Sequence, residues 1–371
     1  MGGSHISALK LIETLDRGIY RPLIVLHSAE GQLGDFLHEH GFPFEHAPES
    51  AHITPTSMLG ELRELVSAPR SFLNLARFLR AHDVRIVHTN EGPMHATWGI
   101  PAKLAGARHV WHHRANPAAR SLRYIAPFTA DQVVSVSAFA SPRPAIISAA
   151  GKNTVVHSPF DTATCTADRA ACRADALAEL GLAGNTRLLG YFGNFVDRKR
   201  PLLFVEAVAE MIACAPEIPI AGLMFGSPLE PGLDEAVVEL AARLGIADHI
   251  RIMGFRHPSN PWMAACDLLL VTAVEEPFGR TLIEAMLLKT PVIAAASGGN
   301  IEAIREGETG LLVPPDDAAA FAAAAINLLE DSALASRIAE AAQADALRKF
   351  GIQRHHDLIT AIYRQLLSCA D

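Results

Sequence analysis

Glu276-Pro277-Phe278-Gly279-Arg280-Thr281-Leu282-Ile283-Glu284 sets two carboxylates eight positions apart, with a glycine opening the apolar run 281–288. The run 268–272 before it is short and apolar, the pattern of a strand buried on both faces. The segment therefore reads as strand, glycine-bearing turn, helix. The unpaired N–H groups of a helix start, with its partial positive charge, favour a phosphate. Glu276 then stands at the mouth of the turn. Glu284 lies further along the helix, where a carboxylate can accept hydrogen bonds from a sugar diol. Beyond it come Pro291-Val292-Ile293-Ala294, then Ser297-Gly298-Gly299-Asn300-Ile301-Glu302, then Gly307 to Asp317. That order is a strand, a glycine turn into a second helix, and a further turn and strand.

The stretch 275–317 resembles the donor-binding signature of family 4 retaining glycosyltransferases, whose fold is GT-B. The resemblance rests on an ordered set: Glu276 to Glu284, Pro291-Val292-Ile293, Gly298-Gly299, Glu302 and Gly310-Leu311-Leu312-Val313. A bare pair of glutamates at this spacing is a weak signal; the whole set in this order is a specific one. It implies an α/β chain of two Rossmann-like domains, with parallel sheets facing a central cleft. It also implies transfer from a nucleotide diphosphate sugar with retention of configuration, without cofactor or metal.

Length and composition agree. The 371 residues suggest two domains. The division is read as 1–165 for an acceptor-side domain and 166–349 for the donor domain, with a final helix in 350–371 packing back on the first. Half the residues are hydrophobic and the net charge is -8, so no basic field invites nucleic acid. Cys165, Cys172, Cys214, Cys266 and Cys369 show no Cys-x-x-Cys spacing and read as reduced thiols. The most apolar stretch, 264–274, is too short for a membrane span and contains Asp267. The expected location is cytoplasmic, with peripheral contact at the inner membrane face left open.

Strands are expected in the first half at 23–26, 86–89, 109–111 and 132–136, with helices at 31–40, 70–81 and 95–104 between them. The second half reads as strands at 188–192, 218–225, 250–253, 268–272, 292–295 and 311–313, with helices at 201–213, 233–244, 281–288 and 318–329. The last helix is expected at 354–368. Such alternation implies parallel sheets covered on both faces. The stretch 161–184, rich in alanine and charge, reads as the joint. The amphipathic pattern of 70–81 reads as sheet packing, with bilayer contact as the alternative.

Gly2-Gly3-Ser4-His5 leads directly into a helix at 6–15. In the resembled family such a glycine turn follows the first, central strand of the domain, so an upstream start to the natural chain is expected. By the same resemblance Gly3, Ser4 and His5 face the acceptor side.

The stretch 190–201 ends a strand at Gly193 and carries Arg198, Lys199 and Arg200 before Pro201. A diphosphate needs cations, a planar fork from Arg or a point charge from Lys. The resembled family has arginine where Asn194 stands and a lysine where Lys199 stands, so Arg198 is the expected substitute. Gly226 and Phe255 follow two further strands, where α/β folds place ligands. With Phe278, Gly279, Arg280, Thr281 and Glu284 they complete the expected donor set. Glu276 is expected to hold the transferred sugar; its plain alternative is a helix cap.

Thirteen of the seventeen histidines precede residue 161. The pairs 38/40, 112/113 and 355/356 lack the spacing of zinc ligands, and no metal is expected. His112 and His113, beside Arg114, stand at a strand's carboxyl end. In the resembled family a histidine near this strand end approaches the donor sugar or the acceptor, so His112 or His113 is expected in that role, with Arg114 on the acceptor side. The plain alternative is a core histidine satisfied by backbone.

The function expected is transfer from a nucleotide diphosphate sugar, UDP favoured over GDP, to a saccharide or glycolipid acceptor. The alternatives are a catalytically silent nucleotide-sugar binding protein and a GT-B epimerase. A dehydrogenase is excluded for want of a Gly-x-Gly-x-x-Gly after a first strand.

Overall fold

A computed structural model of the chain describes residues 3–28, 31–48, 58–90, 92–163 and 165–368, the side chains of Gln32 and of residues 58–68 excepted. Gly2 and Cys369, named above, lie outside the described residues. The chain divides into two compact units, residues 1–159 with 352–371, and residues 160–351. The sequence reading had put these divides at 165/166 and 349/350.

The described strands are β1 (Ile24–Leu26), β2 (Phe44–His46), β3 (Ile86–Thr89), β4 (Arg108–His113), β5 (Gln132–Ser135) and β6 (Asn153–Val155) in the first unit. The second holds β7 (Arg187–Phe192), β8 (Ile220–Phe225), β9 (Ile250–Gly254), β10 (Leu268–Val271), β11 (Val292–Ala295) and β12 (Leu311–Val313). The first unit carries two parallel sheets, β1-β2 and β3-β4-β5-β6. Helix Ile352–Ser368 packs Ile359, Ile362 and Tyr363 against Leu11, Leu15, Val110 and Val134.

The second unit is one parallel sheet in the order β12-β11-β10-β7-β8-β9. The chain order runs outward in both directions from the β7–β10 pair. That pair is therefore the switch point, outside whose carboxyl ends α/β sheets hold ligands. Every residue of β8, β10 and β11 is buried, which is why these strands read as unbroken apolar runs.

Several expectations need correction. The supposed joint holds the helix Arg169–Leu180, started by Asp168, whose carboxylate accepts from the amides of Ala170 and Ala171, and ended by Gly181 at φ 65. It belongs to the second unit. Only Ala176 and Leu177 of it are buried, too thin a stripe to stand out among the charges. Strands β2 and β6 and helices Arg120–Tyr124, Ala126–Thr129, Asn260–Ala265 and Ser332–Phe350 were not foreseen. Helix 70–81 is the end of a longer one, Met58–Ala81. Its Leu75 and Leu79 pack with Val87 and Trp98, so the stripe is used for packing. No single helix among the described residues is long and apolar enough to cross a membrane.

Candidate functional site

The donor-type residues converge at the carboxyl ends of β7 and β10. After β7 the chain makes a short 3-10 turn, Asp197–Lys199. The amide of Val274 donates to the Arg198 carbonyl at 2.9 Å. The Thr272 hydroxyl donates to the Lys199 carbonyl at 2.8 Å. These bonds fasten the cationic turn to the end of β10. Arg198 Nη1 and Lys199 Nζ then reach the same oxygen, Glu276 Oε2, at 2.6 and 2.8 Å. The stem of Lys199 crosses Gly193, with Cδ 3.4 Å from where a Cβ would stand. Burial pushes the Glu276 carboxyl up, but the charges of Lys199 and Arg198 outweigh it and hold the group below the usual glutamate range.

The turn bearing Glu276 is held from behind. The Glu276 carbonyl accepts from the amide of Gly299 at 2.7 Å, and the amide of Glu275 donates to Ser297 Oγ at 2.9 Å. Glu275 itself sits at φ 49, a left-handed conformation rare for a side-chain-bearing residue. Gly298, at φ 59, presses so close that a Cβ would lie 2.6 Å from the Glu276 backbone. Helix Arg280–Leu287 starts at Gly279, and its first-turn amides have no partner inside the helix by construction. Asn300 donates to the carbonyls of Ala273 and Ala295. Its Oδ1 faces Gly279 with no donor among the described residues.

Glu284 lies on that helix, with Arg280 Nη2 at 3.4 Å. Burial raises its carboxyl, outweighing Arg280 and Lys199. Arg280 lies over the ring of Phe160 at 4.4 Å, a cation–π contact that fixes its fork. Thr281 joins Lys199, Thr272 and Tyr191 around a small recess.

The loops after β7, β8 and β9 are stitched by backbone bonds. Gly193 donates to Phe225, Gly226 to Gly254 and Phe195 to Ser227, at 2.9, 3.0 and 2.9 Å. A Cβ on Gly226, whose φ is 140, would stand 2.1 Å from the Gly193 carbonyl oxygen. Asn194 uses its Oδ1 to accept from the Ser227 amide at 3.2 Å. It thus ties two loops together and leaves the cationic role to Arg198 and Lys199. Phe255 stands 74% exposed beside them. Phe278 is the correction in this set: it is buried against Phe160 and Phe350, centroids 6.1 and 5.6 Å away. An aromatic ring preceding a turn of small and polar groups finds its apolar neighbours inward. It buttresses the turn and does not line it.

In the first unit the expected loop Gly3-Ser4-His5 is the opening of helix Gly3–Thr14 itself. His112 and His113 end β4 and are both buried. His113 faces the Asn116 carbonyl at 3.1 Å, a core histidine satisfied by backbone. His112 Nδ1 lies 3.0 Å from His88 Nε2, while its Nε2 is buried with no partner among the described residues. Arg114 donates to Ser158 Oγ and Asn90 Oδ1 at 3.0 and 3.3 Å. His88 in turn contacts the Tyr363 hydroxyl at 2.5 Å. Burial first, then Arg114, lowers His88 to about 3; burial brings His355 to about 4. These rings are neutral at ordinary pH. His88, Asn90, Ser158 and Tyr363 were missed by sequence reasoning, and no short motif marks them.

The family model for Glycosyl transferases group 1 matches residues 186–331. The D-inositol 3-phosphate glycosyltransferase of Nocardia farcinica is 36% identical over 185 residues, 49% of this chain and 38% of that protein. Its counterpart in Rhodococcus jostii is 38% identical over 174 residues, 46% of this chain and 38% of that protein. The chain thus spans well under half the length of these curated relatives. Among solved structures, HepE of Anabaena in complex with UDP and glucose aligns with a TM-score of 0.80. The identity is 24%, over 98% of this chain and 96% of that one. A glycosyltransferase from Rickettsia africae aligns at TM-score 0.80 and 21% identity, over 99% and 95%. At these identities the structural likeness speaks for the fold.

Proposed function

We propose that the chain transfers a sugar from a nucleotide diphosphate sugar to a saccharide or glycolipid acceptor, a reading supported by the match of residues 186–331 to the model for Glycosyl transferases group 1 and by the GT-B fold. The observation that carries this reading is the set Arg198, Lys199 and Glu276, fastened at the start of the helix that bears Glu284. Two cations and the first-turn amides are what a leaving diphosphate needs as the glycosidic bond breaks with oxocarbenium character. Glu276 holds a hydroxyl of the transferred sugar. Glu284 accepts from the ribose diol, whose donors favour the ionised carboxylate that burial disfavours.

Retention of configuration follows from the family resemblance. Its usual account is front-face attack, in which the departing phosphate takes the acceptor's proton. That route uses neither an enzyme nucleophile nor a metal ion. UDP is favoured over GDP, a preference supported by the UDP complex of HepE. The polar cluster of Arg114, Asn90, Ser158 and His112 is the acceptor-side candidate of the first unit.

Calorimetric titration with UDP and with GDP, without metal, tests the donor assignment beside Glu284→Ala. Binding of one nucleotide, weakened about tenfold or more in the variant by loss of charge-assisted bonds, supports it. Binding of neither overturns it. Donor bound without transfer to any saccharide or lipid acceptor would mean a silent binding protein.

A further inference from the structure

We propose that the first unit docks onto an anionic lipid bilayer through the surface formed by the two short helices Arg120–Tyr124 and Ala126–Thr129 and the loop at 143–147. That surface belongs to the first unit alone and is independent of the donor chemistry.

The first observation is charge. The chain carries a net -8, yet residues 92–160 hold seven Lys and Arg against the single carboxylate Asp131, a net of +6. The remaining residues therefore sum to -14. Asp131 is itself committed, to Arg108 at 3.2 Å and to the amide of His109 at 2.8 Å. Arg120, Arg123 and Arg143 are all exposed.

The second observation is exposed apolar surface among these cations. Tyr124 is 59% exposed, Phe128 61%, Ile146 106% and Ile147 59%. They belong to one patch, because their elements share an inner face. Leu122, Ala126 and Ala130 are buried in one cluster with Ala149. Lys152 ties the segments further, donating to the carbonyls of Pro127 and Ala130 at 3.0 and 2.9 Å. The inner side chains are packed in that cluster; the outer ones are large and bare. Arg123 lies over the Tyr124 ring at 5.3 Å, so charge and aromatic surface are presented together.

Side chains of this kind seat at the boundary of headgroup and acyl chain, while arginines beside them meet anionic headgroups. A second copy of the chain is a poorer occupant, since a two-fold interface would bring the same cations face to face.

The test is co-sedimentation of the full chain with vesicles of phosphatidylcholine alone and of phosphatidylcholine with phosphatidylglycerol, at low and high salt. Binding to the anionic vesicles, at least tenfold above the neutral ones and weakened by salt, is expected. Ile146→Ser with Ile147→Ser, and separately Arg123→Glu with Arg143→Glu, should each cut that binding tenfold or more; removing two cations alone is worth roughly thirtyfold. Leu229→Ser with Val238→Ser, exposed in the second unit, should change nothing. All these positions are exposed, and matched thermal melts are the check that each variant is folded. Absence of sedimentation, or equal binding by the variants, overturns the proposal. So does light scattering that finds a lipid-free dimer abolished by the isoleucine variant, which would make the patch an interface between copies.

Discussion

Replacing Glu276 by glutamine should strengthen the binding of UDP while weakening transfer. Arg198 and Lys199 both spend the unliganded state on one oxygen of Glu276, at 2.6 and 2.8 Å. A diphosphate must draw them away. The bare attraction of one such pair is about 6 kcal/mol at an effective dielectric of 20, but desolvation and competing water cancel most of it. About 1 kcal/mol per partly exposed pair is left. Removing the charge therefore releases about 1–2 kcal/mol to the incoming diphosphate, and UDP should bind roughly five- to thirtyfold tighter. The sugar loses a charged acceptor, worth about 1.5–3 kcal/mol, so kcat/KM should fall roughly ten- to hundredfold. Calorimetry with UDP and initial-rate assays with the intact donor read the two effects separately. Weaker UDP binding by Glu276→Gln would refute the counter-charge argument. The pH dependence gives an independent check. The carboxyl is held below its free value of 4.5, so its contribution to stability is whole above that pH. It is lost as pH falls through the folded value. The stability gap between wild type and variant should therefore close in acid.

Gly226→Ala sets a methyl 2.1 Å from the Gly193 carbonyl at a φ of 140, and should lower stability by about 3 kcal/mol or more with a matching fall in Tm. Asp345 is buried and bonded by Arg305, Arg348 and Lys349, each at 2.6 Å; Asp345→Asn should lose about 2–4 kcal/mol in denaturant titration, since three cations then share a neutral partner. The buried histidines give the first unit an acid sensitivity of definite sign. His355, brought to about 4 from 6.5, supports the fold fully above 6.5 and loses that support as pH falls towards 4, about 2 kcal/mol by pH 5. Denaturation followed by Trp98 and Trp111 fluorescence should then come at lower denaturant at pH 5 than at pH 7.

The second unit was largely legible because its strands β8, β10 and β11 are buried on both faces. Val292–Ala295 and Leu311–Val313 could be bounded from the sequence alone, and Leu268–Val271 to within one residue. In each, an apolar run is followed by a glycine or polar turn. Where most of a strand is exposed the signal fails: β2, with Glu45 and His46 exposed, has no apolar run to find. The carboxylates and cations of the proposed donor site were named individually, but their mutual pairing was not, because Arg198 and Glu276 lie 78 residues apart. The same holds more strongly for His88 and Tyr363, separated by 275 residues. Long-range partners are chosen by the fold, and a single chain read by spacing does not reveal them.

The aromatic contact behind Phe278 has a consequence for how this chain tolerates cutting and rejoining. Phe160 and Gly351, the first and last residues of the second unit, form a β-bridge, and the Phe160 amide donates to the Phe350 carbonyl at 2.9 Å. The same two phenylalanines pack on Phe278, one residue ahead of the helix-opening Gly279. The seam that closes the unit is thus also the wall behind the turn that bears Glu276. A fragment trimmed to 166–349 would keep every proposed donor residue yet lose that wall. One cut at 160 and 351 keeps both, and its adjoining ends suit it to be spliced as a cassette into a loop of another scaffold.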